Sequence, residues 1–234
     1  MDPTFYTSPT EILPRLGTAQ APVLIDVCVP EDVAADPFRL PGARRATHRD
    51  LGAALSHVNP GQPVVVTCQK GLKLSVGMAA HLRGEGHAAT ALDGGVLGWG
   101  AAGLPRIAED AGAVTYVLPT QADPDTLIAA WCITRWIAPD ARLLWVPADM
   151  TQAVADRFDA HAVTPESTAH ALLQYAGLTW SPLLEFVQDA NHEAQGWTAL
   201  LDALPRLHPS PEAVAAAALP LVDAAWTALR KDIS

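Results

Sequence analysis

The sequence predicts an α/β fold at its start, with a parallel sheet covered by helices on both faces, followed by a mainly α-helical second domain with a few strands. Two short β-branched runs, at Val23–Val27 and Val64–Thr67, are typical of buried parallel strands. Apolar residues then recur at helical spacing after the second run, at Leu74, Met78, Ala79 and Leu82. The order strand, loop, helix is the repeating unit of a parallel α/β sheet.

The remaining elements of the first domain follow the same alternation. Residues 88–92 predict a third strand, Asp93-Gly94-Gly95 a turn, and the residues through Trp99 a short helix that ends at Gly103-Leu104-Pro105. We therefore expect a first domain at residues 1–106, a linker at 107–112 and a second domain at 113–234.

The second domain contains few strand signals. Strand-like runs cover residues 114–118 and 142–146, and helical patterns cover 125–137, 150–159, 166–175, 182–192 and an alanine-rich 211–229. Breaks rich in Pro, Gly and His-Pro separate the helices, which predicts a mainly helical domain.

The charge is unevenly divided along the 234 residues, which carry a net charge of −10. Residues 1–106 hold nine basic and nine acidic side chains, whereas residues 107–234 hold six and sixteen. An acidic surface repels phosphates and anionic lipids, so we expect no nucleic-acid and no membrane partner. The acidic start Met1-Asp2-Pro3 and the lack of a long apolar run predict a soluble, cytoplasmic protein.

The segment from Cys68 to Ser75 carries the clearest chemical signal, because it joins a strand to a helix. Backbone N–H groups and the positive end of a helix can form an anion-binding cup there. Lys70 and Lys73 add positive charge, and Gly71 permits a left-handed backbone angle. Such a cup favours the thiolate of Cys68, which is the nucleophilic form. A buried structural cysteine is the alternative, since free cysteines are often core residues.

Several motifs together resemble a single rhodanese homology domain over residues 9–105. They are Leu24-Ile25-Asp26-Val27 with Glu31-Asp32, the turn Leu40-Pro41-Gly42-Ala43, and Leu92-Asp93-Gly94-Gly95 with Trp99 and Ala102-Gly103-Leu104-Pro105. The resemblance implies that Cys68 is catalytic and holds a persulfide. It further implies that the substrate-binding loop comprises Gln69, Lys70, Gly71, Leu72, Lys73, Leu74 and Ser75.

The loop departs from that family at positions that bear on substrate. Arginine is usual in the family's loop, but Gln69 and Lys73 stand here, so bidentate recognition of thiosulfate by a guanidinium is lost. A phosphatase is the nearest alternative with a similar cradle, and it is disfavoured because Leu74 replaces its phosphate-binding arginine.

Three further residues are accessory candidates, namely Asp26, Cys28 and Arg39. Cys28 stands where the family usually has arginine, and Arg39 where it often has histidine. Cys28 also follows a strand on the same edge of the sheet as Cys68, so it is a candidate to resolve the persulfide or to form a disulfide. An unpaired small residue is the simpler interpretation.

The segment 125–141 resembles the opening of the chromate-resistance protein domain, and the resemblance continues through residues 172–178 and 186–192. Thr126, Ala129 and Ala138 replace polar residues that the resemblance would imply. We therefore expect a partner-binding or homodimerising module. Asp189 and His192 are the best-spaced pair of metal ligands, but a solvated helical face explains them, so we expect no metal site. Cys132 and the tryptophans are interpreted as core residues.

Two functions of different class follow from these expectations. In the first, Cys68 takes sulfur from a small donor, thiosulfate or a persulfide, and passes it to a thiol acceptor without a cofactor. The resemblance also suggests a link to chromate or redox stress. In the second, the loop binds an oxyanion as a non-catalytic sensor or regulatory module.

Overall fold

A computed structural model describes residues 5–56, 58–112, 114–164, 169–190 and 196–230. It divides into two compact units. The first comprises the residues up to Leu16 together with Gln20–Asp110, and the second comprises Gly17–Ala19 together with the residues from Ala111 onward.

The first unit is built on a parallel sheet. Its strands are β1 (Tyr6–Thr7), β2 (Val23–Asp26), β3 (Phe38–Arg39), β4 (Arg44–Arg45), β5 (Val64–Thr67), β6 (Ala89–Leu92) and β7 (Ile107–Ala108). Five of them form one sheet in the order β1-β6-β5-β2-β4, and every neighbouring pair is parallel. The predicted α/β class with a parallel sheet is confirmed.

The α-helices in the described residues of this unit are α1 (Pro9–Ile12), α2 (Pro30–Ala35), α3 (Gly52–Leu55), α4 (Lys73–Gly84) and α5 (Gly95–Ala101). The longest is α4, which follows β5 through the cysteine loop as the apolar spacing predicts. Alternate residues of β2 and β5 face one apolar cluster, which also takes in Leu82 of α4 and Cys68. This alternation fixes the direction of the Cys68 side chain, because successive residues of a strand point to opposite faces.

Residues 107–112, predicted as a linker, begin with the strand β7. Ile107 is fully buried, and β7 pairs with β3 in an antiparallel ribbon that brings Arg39 opposite Ile107. Glu109 then binds the guanidinium of Arg45. The Glu-Asp-Ala-Gly composition suggested an exposed connection. However, Arg39 and Arg45 both bind Glu109, which attaches residues 107–109 to the first unit.

The second unit has a three-stranded parallel sheet in the order β10-β8-β9, made by β8 (Thr115–Pro119), β9 (Arg142–Val146) and β10 (His161–Ala162). Its helices are α6 (Pro124–Cys132), α7 (Thr151–Phe158), α8 (Ala169–Tyr175), α9 (Ser181–Ala190), α10 (Thr198–Ala203) and α11 (Pro211–Leu229). The helix predicted over 125–137 changes from α to π geometry at Ile133–Ile137. Parts of the predicted helices 166–175 and 182–192 lie outside the described residues.

The core of the second unit surrounds one buried carboxylate. Asp223 of α11 accepts hydrogen bonds from Trp131 Nε1 at 2.9 Å, from Arg135 Nε and Nη2 at 3.0 and 2.9 Å, and from the backbone N–H of Ala19 at 2.9 Å. The rings of Trp131, Trp136 and Trp226 lie within 6.1 Å of one another, centroid to centroid. The interpretation of these tryptophans as core residues is confirmed, since all three are fully buried.

The length and apolar composition of α11 would also allow it to cross a membrane. However, it carries Asp223 in its interior, paired with Arg135, and it buries Val214, Val222 and Trp226. These contacts are those of a core helix of the second unit.

Candidate active site at Cys68

Cys68 directly follows β5, at the carboxyl edge of the parallel sheet. Only 6% of the residue is exposed, and it belongs to the apolar cluster beneath α4. Its Sγ lies 3.2 Å from Ser75 Oγ in the first turn of α4, and that hydroxyl lies 3.2 Å from the carbonyl of Leu72. The thiol is therefore both buried, as a structural cysteine would be, and placed at a polar helix start, as a reactive one would be.

Glycines on two segments hold the loop in place. Gly71 has φ of +66°, and a Cβ there would lie 2.4 Å from the carbonyl oxygen of Leu92. Gly95 has φ of +60°, and a Cβ there would lie 2.2 Å from the carbonyl oxygen of Cys68. Neither position admits a side chain, so the cysteine loop and the turn after β6 pack backbone against backbone.

The start of α5 also binds the loop from outside. The N–H groups of Val96 and Leu97 donate to the carbonyls of Cys68 and Gln69, at 3.1 and 3.0 Å. These two residues are functional supports that the sequence did not single out, although the Gly94-Gly95 pair marks the place where they begin. The carbonyls of Cys68 and Gln69 are therefore occupied by donors from α5.

The N–H groups of the loop behave differently from its carbonyls. Among the described residues, no protein acceptor receives a hydrogen bond from the N–H of Gln69, Lys70 or any residue from Leu72 to Ser75. The last of these groups are the first-turn donors that a helix leaves without an internal partner. Unpaired donors at a helix start attract anions, so the geometry suits the cup expected from the sequence.

The side chains of the loop fall into two groups. Lys70, Leu72 and Lys73 are exposed, and 53% of Leu72 is accessible. Neither lysine forms an ion pair with any described residue. Leu74 instead packs against the apolar cluster, so the position where a phosphatase needs arginine is a core contact.

Asp26 is the most deeply buried of the accessory candidates, with none of the residue exposed. Its Oδ1 lies 2.8 Å from Arg45 Nη1, in an ion pair whose N–H is not aligned for a hydrogen bond. Its Oδ2 has no hydrogen-bond partner in the described structure. Burial raises the pKa of Asp26, and the charge of Arg45 opposes that effect only in part.

Cys28 is bound to this carboxylate rather than to Cys68. Its backbone N–H donates to Asp26 Oδ1 at 2.9 Å, so the same carboxylate lies beside its thiol. Burial and the negative charge of Asp26 raise the pKa of Cys28 well above its ordinary value. Cys28 is a free thiol held in its neutral form, while it packs against the cluster that contains Cys68.

Arg39 is directed to the β3–β7 ribbon. Its Nη1 donates to the carbonyls of Ala108 and Glu109, at 3.2 and 2.6 Å. Burial lowers its pKa, although Glu109 acts in the opposite direction. No described contact joins Arg39 to the cysteine loop. Arg45, which the sequence analysis did not single out, lies beside Asp26 instead. Burial lowers the pKa of Arg45, but Glu109 and Asp26 raise it by more, so the net shift is upward.

The described candidates of the second unit are Cys132 and Asp189. Cys132 is fully buried, as predicted for a core residue, and burial raises its pKa. Within the described ranges, no group of three or more His, Cys, Asp and Glu residues is placed to hold a metal ion. His192, the partner suggested for Asp189, lies outside the described residues.

Comparison with known proteins places the first unit in a family. A rhodanese-like domain model matches residues 8–102. A comparison with curated proteins gave no match. The first unit therefore contains a rhodanese-like domain, as the motifs of the sequence suggested.

Solved structures also match part of this chain. A thiosulfate sulfurtransferase from Pseudomonas aeruginosa is 28% identical, with 45% of this chain and 20% of that one covered and a TM-score of 0.37. A rhodanese homologue from Thermus thermophilus is 30% identical, with 40% and 98% covered and a TM-score of 0.30. A rhodanese-like domain protein from Staphylococcus aureus is 20% identical, with 41% and 90% covered and a TM-score of 0.35. The family assignment of the region rests on the domain match.

Proposed function

We propose that this protein is a sulfurtransferase that carries sulfane sulfur as a persulfide on Cys68 and passes it to a thiol. The observation that supports this function best is the pairing of a strand-end cysteine with the N–H donors of Gln69, Lys70 and residues 72–75, which meet no acceptor in the described part of the chain. A terminal persulfide sulfur carries negative charge, and such donors stabilise a negative charge without reorganising.

The first half-reaction loads the cysteine. The Cys68 thiolate attacks the outer sulfur of the donor and forms an Sγ–S bond, while the donor's own S–S bond breaks and its electron pair leaves with the remainder. With thiosulfate as donor, that leaving group is sulfite. Cys68 Sγ donates to Ser75 Oγ at 3.2 Å in the thiol form, and rotation of the Ser75 hydroxyl away from the carbonyl of Leu72 would let it donate to the thiolate before the attack.

The second half-reaction empties the site. A thiolate acceptor attacks the outer sulfur, the bond between that sulfur and Cys68 Sγ breaks, and the electron pair returns to Cys68 as thiolate. The exposed ammonium groups of Lys70 and Lys73 draw anionic donors and acceptors to the loop. They act as point charges rather than as planar clamps, so thiosulfate is expected to be a slower donor than a persulfide.

Mass spectrometry of the intact protein tests this function. After incubation with thiosulfate or a persulfide donor, wild type is expected to gain one sulfur atom and to lose it to added thiol. Cys68→Ser should gain none, whereas Cys132→Ser should load as wild type does. Absence of an adduct with every donor would reject the transferase and favour the oxyanion sensor or regulatory module.

The roles of the second unit are separate proposals. A chromate-resistance-like character, homodimerisation through this unit, a cytoplasmic location and the lack of nucleic-acid and membrane partners stay predictions of the sequence. Growth under chromate of cells that lack the protein, with and without re-expression of Cys68→Ser, tests the first of them.

A further inference from the structure

A cavity lies in the first unit, away from Cys68. It measures about 330 Å³ and opens beside Pro63 and Ala88, the residues that precede β5 and β6. Cys68 follows the opposite end of β5, and at ~3.3 Å per residue a strand of this length separates the two places by roughly 13 Å. The cavity is therefore distinct from the cysteine loop.

Its lining combines positive charge with an apolar wall. Arg15 and Arg83 contribute guanidinium groups, and Pro22, Pro63 and Val65 contribute apolar surface. None of the described residues that line the cavity carries a carboxylate. A volume near the lower end of ligand pockets, about 300–1,000 Å³, suits a small organic molecule better than a lone ion.

Arg83 is held in position before any ligand arrives. Its Nη1 donates to the carbonyl of Ala89 at 2.7 Å, and its Cζ lies 5.1 Å from the centre of the Phe5 ring. The remaining N–H groups of this guanidinium have no acceptor in the described part of the chain. A guanidinium fixed on two sides with free donors binds an anion at low entropic cost, because little freedom remains to be lost.

Two hydroxyls complete the polar side of the cavity. Thr7 Oγ1 and Thr90 Oγ1 are 2.5 Å apart, so one donates to the other. The hydroxyl that accepts this bond keeps its own hydrogen for a further acceptor. The lining thus provides donors and positive charge from Arg83 and the threonines, and apolar surface from proline and valine.

We propose that this cavity binds a small organic anion, in which a carboxylate or a similar oxyanion head meets Arg83 and the threonine pair while an apolar body lies against Pro63 and Val65. Neither feature alone specifies this class of ligand. A free inorganic anion leaves the apolar wall uncovered, and a neutral apolar molecule leaves the donors of Arg83 unpaired.

Titration with benzoate and with its neutral analogue benzamide tests the proposal, followed by backbone amide shifts in nuclear magnetic resonance spectra. Benzoate is expected to shift the amides of Thr7, Ala88, Ala89 and Thr90 in a saturable way. Benzamide should bind at least tenfold more weakly, since a charge-assisted hydrogen bond contributes about 1.5–3 kcal/mol.

Three variants separate the cavity from the cysteine loop. Arg83→Gln should weaken benzoate binding at least tenfold. Ala88→Leu keeps both arginines but fills the entrance, so it should weaken binding equally and guards against a folding defect in the first variant. The double variant Lys70→Gln with Lys73→Gln removes the same kind of charge from the other site and should leave these shifts unchanged. Benzoate shifts confined to residues 68–75, or wild-type affinity in Arg83→Gln, would overturn the proposal.

Discussion

The Cys68 loop of the first unit and the Asp223 cluster of the second differ in how far their polar groups are hydrogen-bonded within the protein. The Asp223 carboxylate receives four hydrogen bonds from Trp131, Arg135 and Ala19. The N–H groups of Gln69, Lys70 and residues 72–75 in the loop have no acceptor among the described residues. Satisfied groups stabilise the fold, whereas unsatisfied donors at a helix start are available to a ligand. The difference separates a structural cluster from a candidate site.

The largest expected effect is a loss of stability when the hydrogen bonds of the Asp223 cluster are removed. Asp223→Ala removes the acceptor of the largely buried Arg135 guanidinium and leaves the indole N–H of Trp131 with only the carbonyl of Gly17. Loss of one partner from a buried ion pair costs about 3–5 kcal/mol. Urea unfolding followed by tryptophan fluorescence should show this loss, and Asp223→Asn, which keeps an acceptor oxygen, should lose less. Equal midpoints for Asp223→Ala and wild type would contradict the structural role.

The next effect tests the backbone packing of the loop. Gly71→Ala places a methyl group 2.4 Å from the carbonyl oxygen of Leu92 at a φ of +66°. We expect a loss of about 1–3 kcal/mol and little or no sulfur loading, because the loop must move. Gly77→Ala is the matched control, since nothing lies within 4 Å of its Cβ on α4. That change should stabilise the protein by about 0.5–1 kcal/mol and leave loading intact.

A smaller effect concerns the reactivity of the Cys28 thiol, which burial and Asp26 keep low. Burial raises the pKa of Cys28 first, and the Asp26 carboxylate raises it further, so Asp26→Asn should lower that pKa. Alkylation of Cys28 by iodoacetamide at about pH 8.5 should then become several-fold faster, as mass spectrometry of peptides would show. Cys132, buried throughout, should stay unmodified in both proteins. An unchanged rate at Cys28 would remove Asp26 from the account of its reactivity.

The smallest effect is a pH dependence in the second unit. Burial lowers the pKa of His161, whose ring lies between those of Tyr116 and Tyr175. Above its ordinary pKa of about 6.5 the imidazole is neutral in the folded and unfolded chains alike. As pH falls below that value, the unfolded chain binds the proton more readily, so stability is lost towards the lowered folded pKa.

Replacement of this histidine removes the dependence. His161→Phe should lose less stability than wild type between about pH 7 and pH 5, by under about 1 kcal/mol because the half-exposed ring is screened by solvent. Urea midpoints at the two pH values measure the difference. His48→Gln, at an exposed position, is the control and should follow wild type.

Local signals in the sequence were sufficient for the parts that depend on neighbouring residues. The strand Val64–Thr67, the glycine of the loop and the spacing of α4 each express a short-range preference, so the placement of Cys68 followed from them. The Gly-Gly turn was visible too, although its contact with Gly71 was not.

Contacts between residues far apart in the chain could not be predicted from the sequence, for a physical reason. Arg45 and Glu109 lie 64 positions apart and carry no local pattern that pairs them. Their pairing made part of an expected linker into a buried strand, and it placed Arg45 beside Asp26. The change from α to π geometry after Cys132 depends in the same way on packing in three dimensions rather than on propensity.

The mutual fit of Gly71 and Gly95 also limits how this domain can be re-engineered. Each glycine occupies the space that a side chain on the other segment would need, since a Cβ on Gly95 would meet Gly71 N at 2.3 Å. An inserted residue, such as a longer phosphate-binding loop would require, has to displace the start of α5 at the same time. Directed evolution of a new activity here should therefore randomise residues 68–75 and 93–97 in one library, because changes confined to either segment would be blocked by the other.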